Sequence, residues 1–404
     1  MGIVLSHTTA RAVYQTAHSI ARSGIEPCSD AAIFKSHPSR KLIDDALRWL
    51  AIHNVKINEN DPIETMVFER NNMRRLTGCR AHVSTKRFSS SRFVKLTDDI
   101  SIVGVELCAL QAATYLPFRK LVEYYFELCG TYSLKTGSTT SYSERPALTT
   151  TARLKHFFNT LSACDGLIPA RKAIKCVRDG CRSPMETAFV MMLTLPKNEG
   201  GLGIRALETD YEIKVANVAK GLTRRTKFYM DAYLKRSRID IEYNGFHHDT
   251  EENRAIDEER KNALAALGYG IVTISRHSFM HAEPFARVME VIQRKEGIRP
   301  SRLPKNFKAK QEELRKFVLR RHLEEKKRLE EKKRLEEKIR RDREERNRID
   351  YEQALLNGTF DDPSINAVPE IDDMQTFEHQ TPREDNARGP APDGKIYGSG
   401  IELK

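Results

Sequence analysis

The sequence has no pair of cysteines at CxxC spacing. Its seven cysteines (Cys28, Cys79, Cys108, Cys129, Cys164, Cys176 and Cys181) are scattered and odd in number, which argues against a zinc knuckle or a disulfide framework. Cys108 and Cys129 sit in apolar helical runs and read as small core residues. A reducing cytoplasm fits this usage. No apolar run approaches the roughly 20 residues that span a bilayer, and the N-terminus lacks a signal-peptide core, so no membrane partner is expected. The Gly-rich stretch 197–203 lacks the GKS or GKT ending of a phosphate-binding loop. The first six residues match the loose N-myristoylation pattern, which is frequent by chance, and Ile3 to Leu5 reads equally as a first strand.

What is abundant is charge. Of the 404 residues 31% are charged and only 39% hydrophobic, so part of the length is expected outside any packed core. The formal charge is +12, unevenly spread. Residues 306–350 carry 18 basic and 12 acidic groups, and residues 351–404 carry 4 and 11. Residues 1–305 are therefore left with a net +13. A basic folded region suits a polyanionic partner, because neutralising phosphates releases counterions; solubility alone is the plainer reading.

Residues 1–140 read as a mixed α+β region, with apolar helical runs over 106–129 that break near Pro117 and close at Gly130. Residues 141–180 read as a linker followed by basic helices. The stretch 183–195 predicts a buried helix: Ser183 as N-cap, Pro184 at the first helical position and Glu186 three residues after the cap. A strand over 211–215 and a basic turn at Arg224 and Arg225 follow, then the pair of arms around Asp231 and Glu242. On the second arm, Ile239, Ile241 and Tyr243 should face a core, with Asp240, Glu242 and Asn244 opposite. A helix over 251–267 stopped by Gly268, a strand over 271–274 and a helix over 284–294 complete residues 181–300 as a mixed sheet covered by helices.

The segment 306–350 differs in kind. LEEKKR begins at Leu323 and again at Leu329, and LEEKIR at Leu335. A step of six turns an α-helix by about 600°, so the leucines draw no continuous stripe and no coiled-coil seam. A solvated helix supported by i,i+4 pairs is expected. Residues 351–404 are acidic and poor in apolar clusters, which predicts disorder. Either segment offers a place for a partner protein.

The chemistry concentrates at the two arms. Asp231 and Glu242 are candidate ligands for Mg2+ or Mn2+, hard ions that favour carboxylate oxygens and serve phosphodiester hydrolysis. Glu186 is a candidate accessory acid as well as a helix cap. His248 is a candidate acid/base or phosphate-binding group, with an ordinary pKa near 6.5.

As an ordered set, SPMET with Glu186, the arm acid Asp231, IEYNGFHH with Glu242, Gly245 and His248, the helix DEERKNALAALGY with Asp257 and Arg260, and the strand IVTIS resemble the PD-(D/E)xK nuclease superfamily. The set is most similar to an uncharacterised bacterial domain related to the very-short-patch-repair endonuclease. The resemblance covers roughly residues 180–280. The front half, with IVGVELCALQAA and FELCGTYSL, looks like that of actinobacterial proteins grouped loosely with abortive-infection type IV toxin–antitoxin components. The resemblance implies an α/β fold: a restriction-endonuclease-like mixed sheet flanked by helices, preceded by a smaller α+β domain and followed by a long charged helix. It also implies metal-dependent endonuclease activity on DNA, with RNA as the other nucleic acid. The alternative is a catalytically weak or inactive nuclease fold acting as a nucleic-acid-binding or regulatory component. The signature lysine is absent, and Asn244 stands where related domains commonly carry Asp. Arg260 or Lys261 is then the candidate source of positive charge, and Arg224, Arg225, Arg260 and Lys261 the candidate nucleic-acid contacts.

Overall fold

In the computed structural model the described residues are 2–16, 35, 37–57, 61–134, 142–244 and 251–356. The chain is mixed α/β, and neither of its larger sheets is parallel or antiparallel throughout. In the first sheet the order is β3 (Cys79–Val83), β2 (Ile63–Val67), β1 (Ile3–Leu5), β5 (Ile100–Val103), β4 (Phe93–Lys95). Its central strands, IVL and ISIV, are short β-branched runs that bury almost every residue, as strands covered on both faces do. Helix α1 (His7–Thr16) follows β1 directly, and α2 (Arg40–Ile52) is capped by Ser39, whose Oγ accepts from Leu42 N–H.

Helices α3 (Val105–Tyr115) and α4 (Phe118–Cys129) part at Pro117, which has no N–H to continue the ladder. α3 is apolar nearly all round and buried from Val105 to Ala113. Its one acid, Glu106, is satisfied by Thr149 Oγ1 at 2.9 Å and Arg153 Nη2 at 3.0 Å. Gly130 ends α4 where a Cβ would lie 2.8 Å from the carbonyl oxygens of Cys181 and Phe126, so no larger residue fits. A small hairpin follows, β6 (Tyr132–Leu134) against β7 (Tyr142–Glu144). The segment expected to hold a linker and basic helices contains α5 (Thr151–Thr160) and α6 (Leu167–Ala173), and Leu154, Phe157 and Phe158 are buried.

The second sheet has four strands: β8 (Leu207–Lys214), β9 (Lys227–Leu234), β10 (Ile239–Asn244) and β11 (Gly270–Ser275). β8, β9 and β10 form an antiparallel meander, and β11 runs parallel to β10. Parallel neighbours need a crossover, which α8 (Glu251–Ala266) provides. Helix α7 (Pro184–Thr194) precedes the meander and is buried on nearly every side. The predicted alternation on β10 holds at its start. Ile239 and Ile241 join a large apolar cluster with Ile3, Phe189 and Leu314. The opposite face meets α8 through a smaller cluster of Phe228, Met230, Tyr233, Ala263 and Leu264.

Residues Met1–Arg328 make up one compact unit, and Leu329–Lys404 a second. Helices α9 (Arg276–Met280) and α10 (Ala282–Lys295) follow β11, and the last helix, α11 (Phe307–Leu356), begins in the first unit with Phe307, Leu314 and Leu319 buried. In the second unit, Leu329, Leu335, Ile339 and Ile349 are exposed, as the six-residue step requires. No helix among the described residues is long and apolar enough to cross a membrane.

Candidate functional site

The register of β9 and β10 runs Ile239 to Leu234, Asp240 to Tyr233 and Ile241 to Ala232. The next position in that series would set Glu242 beside Asp231, and both carboxylates act electrostatically on Asp240. There the regular ladder stops. The Tyr243 N–H donates to Asp231 Oδ2 at 3.4 Å. On the other side of β9, the ladder with β8 omits Asp210 and Asp231, and Asp210 holds φ +51°. The break changes which face the strand buries. Phe228 and Met230 pack under α8, while Ala232 and Leu234 enter the large core, although strict alternation would put all four on one face.

Arg260 of α8 closes the acidic face. Its Nε donates to Glu242 Oε1 at 2.8 Å and its Nη2 reaches the same oxygen. Nη2 also lies 3.1 Å from Asp240 Oδ2 and 2.8 Å from the Tyr229 carbonyl oxygen. The guanidinium stacks over Phe228, 5.4 Å from the ring centre. Read from sequence as a phosphate contact, Arg260 is instead buried and turned inward. Its i+1 neighbour Lys261 is exposed, as are Arg224 and Arg225.

Asp240 is the residue the sequence undervalued. Parity places it beside Glu242, but only the packing of α8 shows that its side chain is fully buried. Its Oδ1 has no hydrogen-bond partner. Burial pushes the Asp240 carboxyl well above the usual range, and Glu242 and Asp231 push it further against the pull of Arg260. Burial alone would weaken the Arg260 cation, but Glu242 and Asp240 more than offset this and raise its pKa. A neutral Asp240 beside Glu242 and Arg260 is the arrangement with least uncompensated buried charge.

Glu186 serves as the helix cap the sequence predicts. Its N–H donates to Ser183 Oγ at 3.1 Å, and its Oε2 accepts from Arg182 N–H at 2.8 Å. It also belongs to the neighbourhood of the hairpin. Burial pushes the Cys181 thiol up, and both Glu186 and Asp231 add to that shift. Arg182 ties the same corner together by an ion pair with Asp210 and by lying 5.6 Å from the Tyr229 ring centre. His248 and Gly245 lie outside the described residues.

The donors gathered here, the carboxylates of Asp231 and Glu242, are hard oxygens of the kind that suits a small divalent cation, with the protonated Asp240 held beside them. With Glu242 turned to Arg260, no group of three or more His, Cys, Asp or Glu side chains among the described residues is arranged to hold an ion. No family model, curated protein or solved structure matches the chain.

Proposed function

We propose that the chain is a metal-dependent endonuclease that hydrolyses phosphodiester bonds of DNA, with the β9–β10 arms as its centre. Support comes first from topology. A buried helix, a three-strand antiparallel meander, a crossover helix and a parallel strand follow in that order, which agrees with a restriction-endonuclease-like sheet. The observation that carries the reading is the closeness of Asp231 and Glu242 on neighbouring arms, tied by the Tyr243 N–H bond to Asp231 Oδ2 and both acting on the buried Asp240 carboxyl. Asp231 and Glu242 would hold Mg2+ or Mn2+, with Glu186 as an accessory acid. When bound, the ion would polarise the phosphate and lower the pKa of a coordinated water.

One observation favours a second reading. Arg260 takes up the Glu242 carboxylate, which a metal ligand would need free. With the signature lysine absent and Asn244 in its place, this supports a nucleic-acid-binding or regulatory protein on the same fold. Incubation of the purified chain with Mg2+ or Mn2+ and single-stranded, duplex and mismatched DNA separates the two. Cleavage lost in both Asp231→Ala and Glu242→Ala is the result expected of the nuclease. Salt-sensitive binding without cleavage favours the second reading, and cleavage indifferent to both substitutions rules out this centre.

A further inference from the structure

A second feature lies away from the hairpin acids, on the first sheet. β3 is the edge strand of that sheet, and a groove of about 410 Å3 runs beside it. Its lining includes Met73, Arg74, Arg75, Leu76 and Thr77 from the segment before the strand, and Arg80 from the strand itself. All three arginines are exposed. Among the described residues Arg74 and Arg75 have no acidic partner. Three arginines thus line one concavity, and the cationic surface they give it suits an anion.

Arg80 is held in place from below. Its Nη1 lies 3.3 Å from Glu64 Oε1, and the Glu64 side chain is only 7% exposed. The same carboxylate accepts from Thr8 N–H at 2.8 Å, from Thr8 Oγ1 at 2.5 Å and from His82 Nε2 at 3.3 Å. Burial would raise its pKa, but the bonds from His82 and Thr8 bring it down to about 2, so Glu64 stays ionised as an anchor. One arginine of the groove is thus oriented before any ligand arrives, and preorganised forks suit the two oxygens of a phosphate.

The other lining groups narrow the ligand. Met73 and Leu76 supply apolar surface, and Thr77 a hydroxyl. A cation-rimmed concavity with an apolar part suits a phosphate joined to a flat ring, and arginine planes also stack on bases. The volume lies within the range of small-ligand sites. An apolar contact with a base requires that base to be unstacked, which disfavours intact duplex. We propose that this groove binds a nucleoside phosphate, either free or as a unit of a single-stranded nucleic acid. It needs no metal and goes beyond the reading of the hairpin.

Fluorescence anisotropy of the full chain with a labelled single-stranded 12-mer, in EDTA to prevent cleavage, tests this. Arg74→Ala/Arg75→Ala is expected to weaken binding about tenfold at low salt. It should also flatten the salt dependence by about 1.4 in slope, because two phosphates are no longer neutralised. Arg80→Ala should act in the same direction, while circular dichroism shows the fold retained. Competition by AMP at concentrations where adenosine fails identifies a free nucleotide as ligand; competition by oligonucleotide alone identifies the strand. Inorganic phosphate competing as well as AMP would overturn the nucleotide assignment. No binding by the parent chain, or unchanged affinity and slope in the double variant, would overturn the site. The groove is tested by binding in EDTA through its arginines and the hairpin by metal-dependent cleavage, so the two readings fail separately.

Discussion

Arg260 Nη2 lies 3.1 Å from Asp240 Oδ2, with 8% of the arginine side chain and none of the aspartate exposed. This contact joins the crossover helix to the strand that carries Glu242. Such a pair is held against a large desolvation cost, so removing one partner is far worse than neutralising the other.

Arg260→Ala should therefore destabilise the fold by about 3–5 kcal/mol, because it strands Glu242 among buried groups. Asp240→Asn should cost less than about 1 kcal/mol, since the carboxyl is already held toward its neutral form. Urea denaturation measures both. Equal losses in the two variants would contradict a protonated Asp240.

The raised pKa of Asp240 fixes the sign of its pH dependence. The native state keeps this proton where the unfolded chain has lost it. Its contribution is complete below the unfolded value of about 3.9 and declines as pH rises through the raised folded value. Denaturation midpoints across pH should show this downward component in the parent chain and not in Asp240→Asn.

Glu64 and His7 act in the opposite sense. Glu64 is lowered from 4.5 to about 2 by His82 and Thr8 against its own burial, so its contribution is present above 4.5 and lost as pH falls toward 2. His7 is lowered from 6.5 to about 4 by burial and by its stacked neighbour His82, 3.7 Å away between ring centres. Its contribution is present above 6.5 and lost as pH falls toward 4. Glu64→Gln should cost on the order of 2 kcal/mol at pH 7 and shallow the acid limb. An unchanged acid limb would remove Glu64 from this role.

The cap on α7 separates the structural from the chemical part of Glu186. Ser183→Ala should lower stability by about 1 kcal/mol through loss of the bond to Glu186 N–H. Glu186→Gln keeps the length and most of the capping, and its thermal midpoint should stay near the parent's. A change in cleavage without a change in midpoint assigns Glu186 to the chemistry; parallel changes assign it to the helix alone.

Gly200 has φ +95°, and a Cβ there would stand 2.2 Å from the Lys310 carbonyl oxygen. Gly200→Ala incurs both the left-handed backbone penalty and a backbone clash, so a loss of more than about 2 kcal/mol is expected in denaturation. A neutral outcome would mean that the start of α11 does not press on this turn.

Local signals carried well from sequence to structure. Ser183, Pro184 and Glu186 mark the start of α7, Pro117 the break between α3 and α4, and Gly268 with φ +77° the stop after α8. Each is decided within one turn of chain by hydrogen-bond supply and φ preference. The alternation on β10 was legible for the same reason, and it placed Asp240 with Glu242. The six-residue step after Leu323 likewise foretold a long helix, on which Leu329 and Leu335 are exposed.

Longer-range relationships were decided by tertiary structure alone. The sequence by itself determined that β10 has an apolar and an acidic face, that an acid stands on each arm, and that Asn244, with no lysine, stands two residues after Glu242. It could not determine that α8 lays Arg260 over the acidic face, 18 residues from Glu242. Nor could it show that β9 changes face at Asp231, or that Glu64 and Arg80 meet beneath an arginine-lined groove. Spacing along the chain reports the direction of a side chain relative to its own backbone. Burial, charge pairing and the pKa of Asp240 depend on what another element brings against it, and that is set by packing.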